Sequence, residues 1–171
     1  MTVSLFRQFV AACVLVLAIC GSARAQQDGT CTSVTLRDPP RTAIRCPGGL
    51  IIEAEAAARL QILAPASGGP PHAIRLDGNA VLIELTTARP FQIMTPHAIA
   101  SVRGTVYAVD VAAGTTAVFV AEGQVQVGRR SGPDAVVLGP GEGVDVSPGE
   151  ALTVRLWPQE RVARLFSRFG R

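Results

Sequence analysis

Phe91-Gln-Ile-Met-Thr-Pro-His-Ala-Ile-Ala-Ser-Val-Arg-Gly-Thr-Val-Tyr-Ala-Val-Asp-Val111 lies in the middle of a 171-residue chain and decides its fold class. Apolar and β-branched residues are interrupted by one Pro and one Gly, which reads as short extended segments joined by turns. The flanking segments are alike. Residues 115–121 meet residues 124–127 around Glu122-Gly123, and residues 135–138 lead into Gly139-Pro140-Gly141-Glu142-Gly143. Residues 144–146 precede Ser147-Pro148-Gly149, and residues 151–157 form a last strand. Strands of four to seven residues with Gly-centred turns every ~8–12 residues predict an all-β domain.

Three triplets, Val109-Asp110-Val111, Val125-Gln126-Val127 and Val144-Asp145-Val146, each present two valines to one side and a polar residue to the other. Recurrence of this kind suits a β-helix or β-roll whose coils share a core; a conventional sandwich is the alternative. Upstream, residues 50–63 are apolar at even positions, with Glu53, Glu55, Arg59 and Gln61 at odd ones. The alternation argues for one strand with a wet face. The Ala and Glu content argues for a helix. Strand is preferred because the alternation is unbroken. Residues 65–71 are a loop, and residues 73–76 and 80–86 read as a hairpin around Asp77-Gly78-Asn79.

The amino terminus reads as a secretory signal peptide over residues 1–25. Arg7 is followed by an uncharged, mostly apolar run, and Ala23-Arg24-Ala25 is a small-x-small cleavage site. The run is shorter than the ~20 residues of a membrane span, so inner-membrane anchoring ranks below cleavage. Lipidation at Cys20 also ranks below it, because Ile19 is too bulky for the residue before a lipobox cysteine. All sixteen basic residues are Arg, and Arg7 and Arg24 leave with the signal, which brings the balance to 14 basic against 13 acidic. A nucleic-acid partner is not expected, since the domain shows no basic stripe interleaved with aromatics. Cys31 and Cys46 are the pair left after cleavage. A hairpin register pairing Leu36 with Arg41 and Ser33 with Ile44 sets these cysteines opposite each other. A structural disulfide is expected, closing a loop of about 16 residues worth roughly 3 kcal/mol.

Residues 158–171 carry a helical pattern, with Val162, Leu165, Phe166 and Phe169 on one face and Arg161, Arg164 and Arg168 elsewhere. One reading has the apolar face cap an open end of the β-domain. The other makes Arg161, Arg164, Phe166 and Arg168 contacts for a partner groove or, peripherally, an anionic membrane surface.

No catalytic, metal or cofactor site is expected. His72 and His97 each stand alone without metal-ligand spacing, and no nucleophile elbow or phosphate loop occurs. An enzymatic reading would need a hidden polar cleft around His97. Arg103 interrupts an apolar strand before Gly104. It reads as partly buried, satisfied by carbonyls or by Asp110 or Glu122, with an exposed partner contact as the alternative.

The region from Phe91 to Val146 resembles the FecR domain of bacterial periplasmic proteins. The match is carried by Phe91-x-Ile93-x-Thr95-Pro96 and Ala100-Ser101-Val102-Arg103-Gly104-Thr105-x-Tyr107-x-Val109. Thr115-x-x-Val118-x-Val120-x-Glu122-Gly123-x-Val125-x-Val127 and Pro140-Gly141-Glu142-Gly143 complete it. The likeness extends back to roughly Leu50, and the cysteine hairpin and the Arg-Phe-Gly-Arg ending look like small secreted alphaproteobacterial members. The resemblance implies a β-helix-like periplasmic module with no catalytic residues, in which Thr95, Pro96, Arg103, Gly104, Thr105, Gly123 and Gly141 are structural. Its best-known members are inner-membrane sigma regulators that sense an outer-membrane siderophore receptor. Few residues precede the hydrophobic run here and the chain ends soon after Gly143, so the module is expected without the anti-sigma region.

The expected layout is a signal peptide at 1–25, a disulfide hairpin at 26–49, a FecR-like all-β domain at 50–157 and a basic amphipathic helix at 158–171. The expected function is non-catalytic binding, in the periplasm, of an envelope protein or polymer that the sequence does not identify. The alternative is a membrane-retained regulator of envelope or iron-uptake signalling. Oligomeric state is not legible.

Overall fold

Strand formation begins at the disulfide. In the computed structural model, which describes residues 30–171, β1 (Thr32–Arg37) and β2 (Pro40–Cys46) pair antiparallel, with Leu36 opposite Arg41 and Ser33 opposite Ile44. Cys31 and Cys46 are bonded with their Cα atoms 4.2 Å apart. The signal segment expected at 1–25 lies outside the described residues.

The chain continues through β3 (Leu50–Glu55), β4 (Leu60–Leu63), β5 (Ala73–Leu76), β6 (Asn79–Leu85), β7 (Pro90–Met94), β8 (Ala98–Arg103) and β9 (Val106–Ala112). Then come β10 (Thr115–Glu122), β11 (Val125–Arg129), β12 (Ala135–Leu138), β13 (Glu142–Val146), β14 (Arg155–Leu156) and the helix α1 (Gln159–Ser167). The strands form an eight-stranded sheet, β1-β2-β3-β6-β9-β10-β13-β14, and a six-stranded sheet, β12-β11-β8-β7-β5-β4. From β7 onward the chain lays two strands in one sheet and the next two in the other, a roll built of hairpin steps. The ladders are therefore antiparallel, apart from the parallel β5–β7 pair.

Alternation sends one side of each strand into the space between the sheets. Leu50, Ile52, Ile74, Leu76, Ile83, Phe91, Ile93, Val109, Val118, Val127 and Val144 are buried there. Both valines of each recurrent triplet face this core. Tyr107 is also fully buried in it, and its hydroxyl has no hydrogen-bond partner; burial pushes the phenol up from its ordinary value. A second cluster lies on the outer face of the eight-stranded sheet, where Ala80, Leu82, Ala108 and Phe119 meet Leu165 and Phe169. The helix thus covers a sheet face and does not cap an end of the roll. Small residues at 80 and 108 make that face flat enough for a helix to lie on.

Three local readings are corrected. Residues 50–63 are two strands in different sheets, β3 and β4, with a corner at 56–59. The corner has an even number of residues, so the alternation keeps its phase across the break and looks continuous. Asp77-Gly78 does not close a hairpin, because β5 and β6 belong to different sheets. The backbone there bonds to Arg59 instead: Arg59 N–H donates to the Gly78 carbonyl at 3.2 Å and Asp77 N–H to the Arg59 carbonyl at 3.0 Å. Of residues 151–157 only Arg155 and Leu156 pair with β13, while Leu152 and Val154 pack on the inter-sheet core.

Candidate interaction surfaces

Thr95 ties the two sheets together. It is 1% exposed, and its Oγ1 accepts the N–H of Ala98 at 2.8 Å and lies 2.8 Å from the buried Thr116 Oγ1 on β10. Pro96 stands exposed beside it in the β7–β8 turn.

The glycine corners stack along one side of the roll. Gly104 leads from β8 to β9 and Gly123 from β10 to β11, with φ of 61° and 81°. A Cβ on Gly123 would sit 2.7 Å from Thr105 Cγ2 and 2.9 Å from the Gly104 carbonyl oxygen, so both φ and close approach require glycine. Thr105 is buried, its carbonyl accepts Leu85 N–H at 2.9 Å, and its hydroxyl has no partner. Gly141 N–H donates to the Val120 carbonyl at 2.8 Å, while Glu142 closes its turn by accepting Gly139 N–H at 2.7 Å.

Arg103 differs from the partly buried reading. It is exposed and makes no hydrogen bond or ion pair within the described residues. Val102 takes the inward position, so parity turns Arg103 outward, and Asp110 is held by Arg168 instead.

The carboxy-terminal arginines lie against acidic strands. Arg168 donates to Glu55 at 3.1 Å and to Asp110 at 2.6 Å. Arg171 reaches Glu53 at 2.8 Å and Glu84 at 3.6 Å. Arg161 bonds Asp145 at 3.0 Å, and its guanidinium carbon sits 3.5 Å from the centre of the Trp157 ring. Phe166 packs edge-on against Phe119 at 5.8 Å. Arg164 is exposed and meets Glu160 one helical turn away. The hydrogen bond from Arg168 lowers the Glu55 carboxyl below its ordinary value, and the bond to Glu55 raises Arg168. Arg171 is raised mainly by its bond to Glu53.

Sequence offered Asp110 only as a partner of Arg103, and no carboxylate was assigned to the carboxy-terminal arginines, although the signal was present. Glu53 and Glu55 are odd positions of the alternating run, and Asp110 and Asp145 are the polar centres of two triplets. Alternation marks such positions as outward-facing; it does not say that Arg168, 58 residues later in the chain, pairs Asp110.

The six-stranded sheet shows the opposite character. A groove of about 550 Å³ on its outer side is lined by His72, Gln92, Ser101, Arg103, Gln126 and Val137, among others. His97 lines neither this groove nor the one beside the helix formed by Trp157, Arg161 and Arg164. Its backbone serves the β7–β8 turn and the segment after β11. Among the described residues, no group of three or more His, Cys, Asp or Glu could hold a metal, and no helix is long and apolar enough to cross a membrane.

The family model described as FecR protein matches residues 32–126. The chain belongs to the FecR family. The match reaches back beyond Leu50 to include β1 and β2, starting one residue after Cys31. Among solved structures, the FecR-family chain is similar to a candidate anti-sigma factor from Parabacteroides distasonis, with a TM-score of 0.57 at 17% identity, covering 80% of this chain and 60% of that one. A second crystal structure of a candidate anti-sigma factor from the same organism has a TM-score of 0.48 at 17% identity, with the same coverage of each chain. This protein thus spans about three fifths of the length of those chains. No curated protein matches its sequence.

Proposed function

We propose that this protein is an exported FecR-domain module that works in the periplasm by binding another envelope component, without catalysis. Membership of the FecR family carries the reading. The Cys31–Cys46 disulfide supports an oxidising compartment, as does the signal pattern of residues 1–25. Pull-down from periplasm with the tagged mature protein tests it. Reproducible enrichment of one envelope protein or polymer is expected, and repeated failure to enrich any counts against it.

A second reading, a membrane-retained regulator of envelope or iron-uptake signalling, draws on the fold shared with the candidate anti-sigma factor. Sequencing the amino terminus of the cellular protein separates the two. Gln26 as first residue in a soluble fraction ends the second reading; an intact amino terminus in the membrane fraction ends the first.

A further inference from the structure

Charge is sorted by sheet in this molecule. The outer face of the eight-stranded sheet carries Glu53, Glu55, Glu84, Asp110 and Asp145, and each meets a carboxy-terminal arginine. That face is occupied by the chain itself. The strands of the six-stranded sheet contain no Asp or Glu at all. Their outward positions include Gln61, Arg75, Gln92, Ser101, Arg103 and Gln126. All but the half-buried Ser101 are exposed, and Arg75 and Arg103 make no ion pair within the described residues.

Register sharpens the picture. Gln92 lies opposite Ser101, Ser101 opposite Gln126, and Gln126 opposite Val137, so the four form one row across adjacent strands. At 4.7–4.9 Å between strands the row spans about 14 Å. The Gln92 amide donates to Ser101 Oγ at 3.2 Å, while Gln126 makes no such bond and stands exposed beside Val137, which is 57% exposed. Arg103 flanks the row on one side, two residues along β8 from Ser101 and opposite Pro90, and the exposed His72 lies in the same groove.

Amides donate and accept, which suits a peptide backbone, and guanidinium forks suit carboxylates. No aromatic ring points outward from these strands, so a sugar or base has no platform to stack on. We propose that the outer face of the six-stranded sheet docks an acidic segment of a protein partner, with Arg75 and Arg103 pairing its carboxylates and the Gln92–Ser101–Gln126 row bonding its backbone. This deepens the binding-module reading and rests on it.

The test is fluorescence anisotropy of the mature protein with a labelled 12-residue peptide of alternating Glu and Ala, and with the same peptide carrying Gln for Glu. The Glu peptide is expected to bind in low salt and weaken as salt rises, with the Gln peptide at least 10-fold weaker. Arg75→Glu with Arg103→Glu, and separately Gln126→Glu, should each weaken binding 10-fold or more. Arg155→Glu, on the edge strand β14 of the other sheet, should change it less than twofold. All these positions are exposed, and circular dichroism checks the fold of each variant. Absence of binding to the Glu peptide, or binding unchanged by the sheet variants, overturns the proposal. Tighter binding of a uronic-acid oligosaccharide than of the peptide, lost in the same variants, overturns the choice of a polypeptide. An envelope partner retained equally by wild type and the double variant in pull-down overturns this surface while leaving the binding-module reading standing.

Discussion

Arg168 lies between Glu55 on β3 and Asp110 on β9, donating to the first at 3.1 Å and to the second at 2.6 Å. One guanidinium thus pins the carboxy terminus to two strands of the sheet that the helix covers. Its side chain is 29% exposed, so the network is partly shielded from water. Arg168→Met should destabilise the protein by about 1–3 kcal/mol in urea unfolding, because two carboxylates lose their partner in a half-buried site.

The same contact sets an acid dependence. Glu55 is held below its ordinary value by the bond from Arg168. Its stabilising contribution is therefore fully present above the unfolded carboxyl value of about 4.3, and is lost as pH falls through the lower folded value. Urea midpoints measured from pH 7 down to pH 3 should fall more steeply for wild type than for Arg168→Met. Parallel curves would show that the pair is not coupled to folding.

At the corners, Gly123→Ala should cost more than about 1 kcal/mol, since an L-residue is strained at φ 81° and its Cβ would strike Thr105 and Gly104. Gly149→Ala shares a positive φ of 80° but meets nothing within 4 Å. It should cost less than Gly123→Ala, with only the backbone contribution left. Equal losses of melting temperature in the two variants would argue against the corner stack.

Tyr107→Phe should be neutral or stabilising. The hydroxyl is buried without a partner, so removing it relieves a desolvation cost of about 1–3 kcal/mol and breaks no bond. A destabilised Tyr107→Phe protein in thermal unfolding would mean that the hydroxyl has a partner in solution.

Replacing both Cys31 and Cys46 with Ser should cost about 3 kcal/mol, from the freedom regained by the loop between them. The hairpin is one edge of the eight-stranded sheet, and hydrogen exchange in the double variant should rise first in β1 and β2.

Much of this architecture was legible in single residues. The register of β1 with β2 followed from setting Leu36 opposite Arg41, which brings Cys31 opposite Cys46, and the paired valines of the triplets marked the core. Which sheet a strand joins was less legible, because period-two alternation records inside and outside but not the partner strand. Asp77-Gly78-Asn79 has the composition of a hairpin turn, yet a distant Arg59 takes its backbone bonds. Arg103 was misread for a related reason: an arginine beside apolar neighbours signals burial only until parity is counted from Val102. Asp110, Asp145 and Gln126 occupy equivalent positions in their triplets, but the first two meet carboxy-terminal arginines and the third faces open solvent. That difference comes from the path of the last 14 residues, which no local pattern encodes.

The central claim is that this FecR-family protein binds another component of the cell envelope. Crosslinking of the full-length protein in intact cells, followed by mass-spectrometric identification of the adducts, tests it most directly. The account predicts one defined adduct with an envelope protein or polymer. Adducts confined to cytoplasmic proteins, or none at native expression, would contradict it.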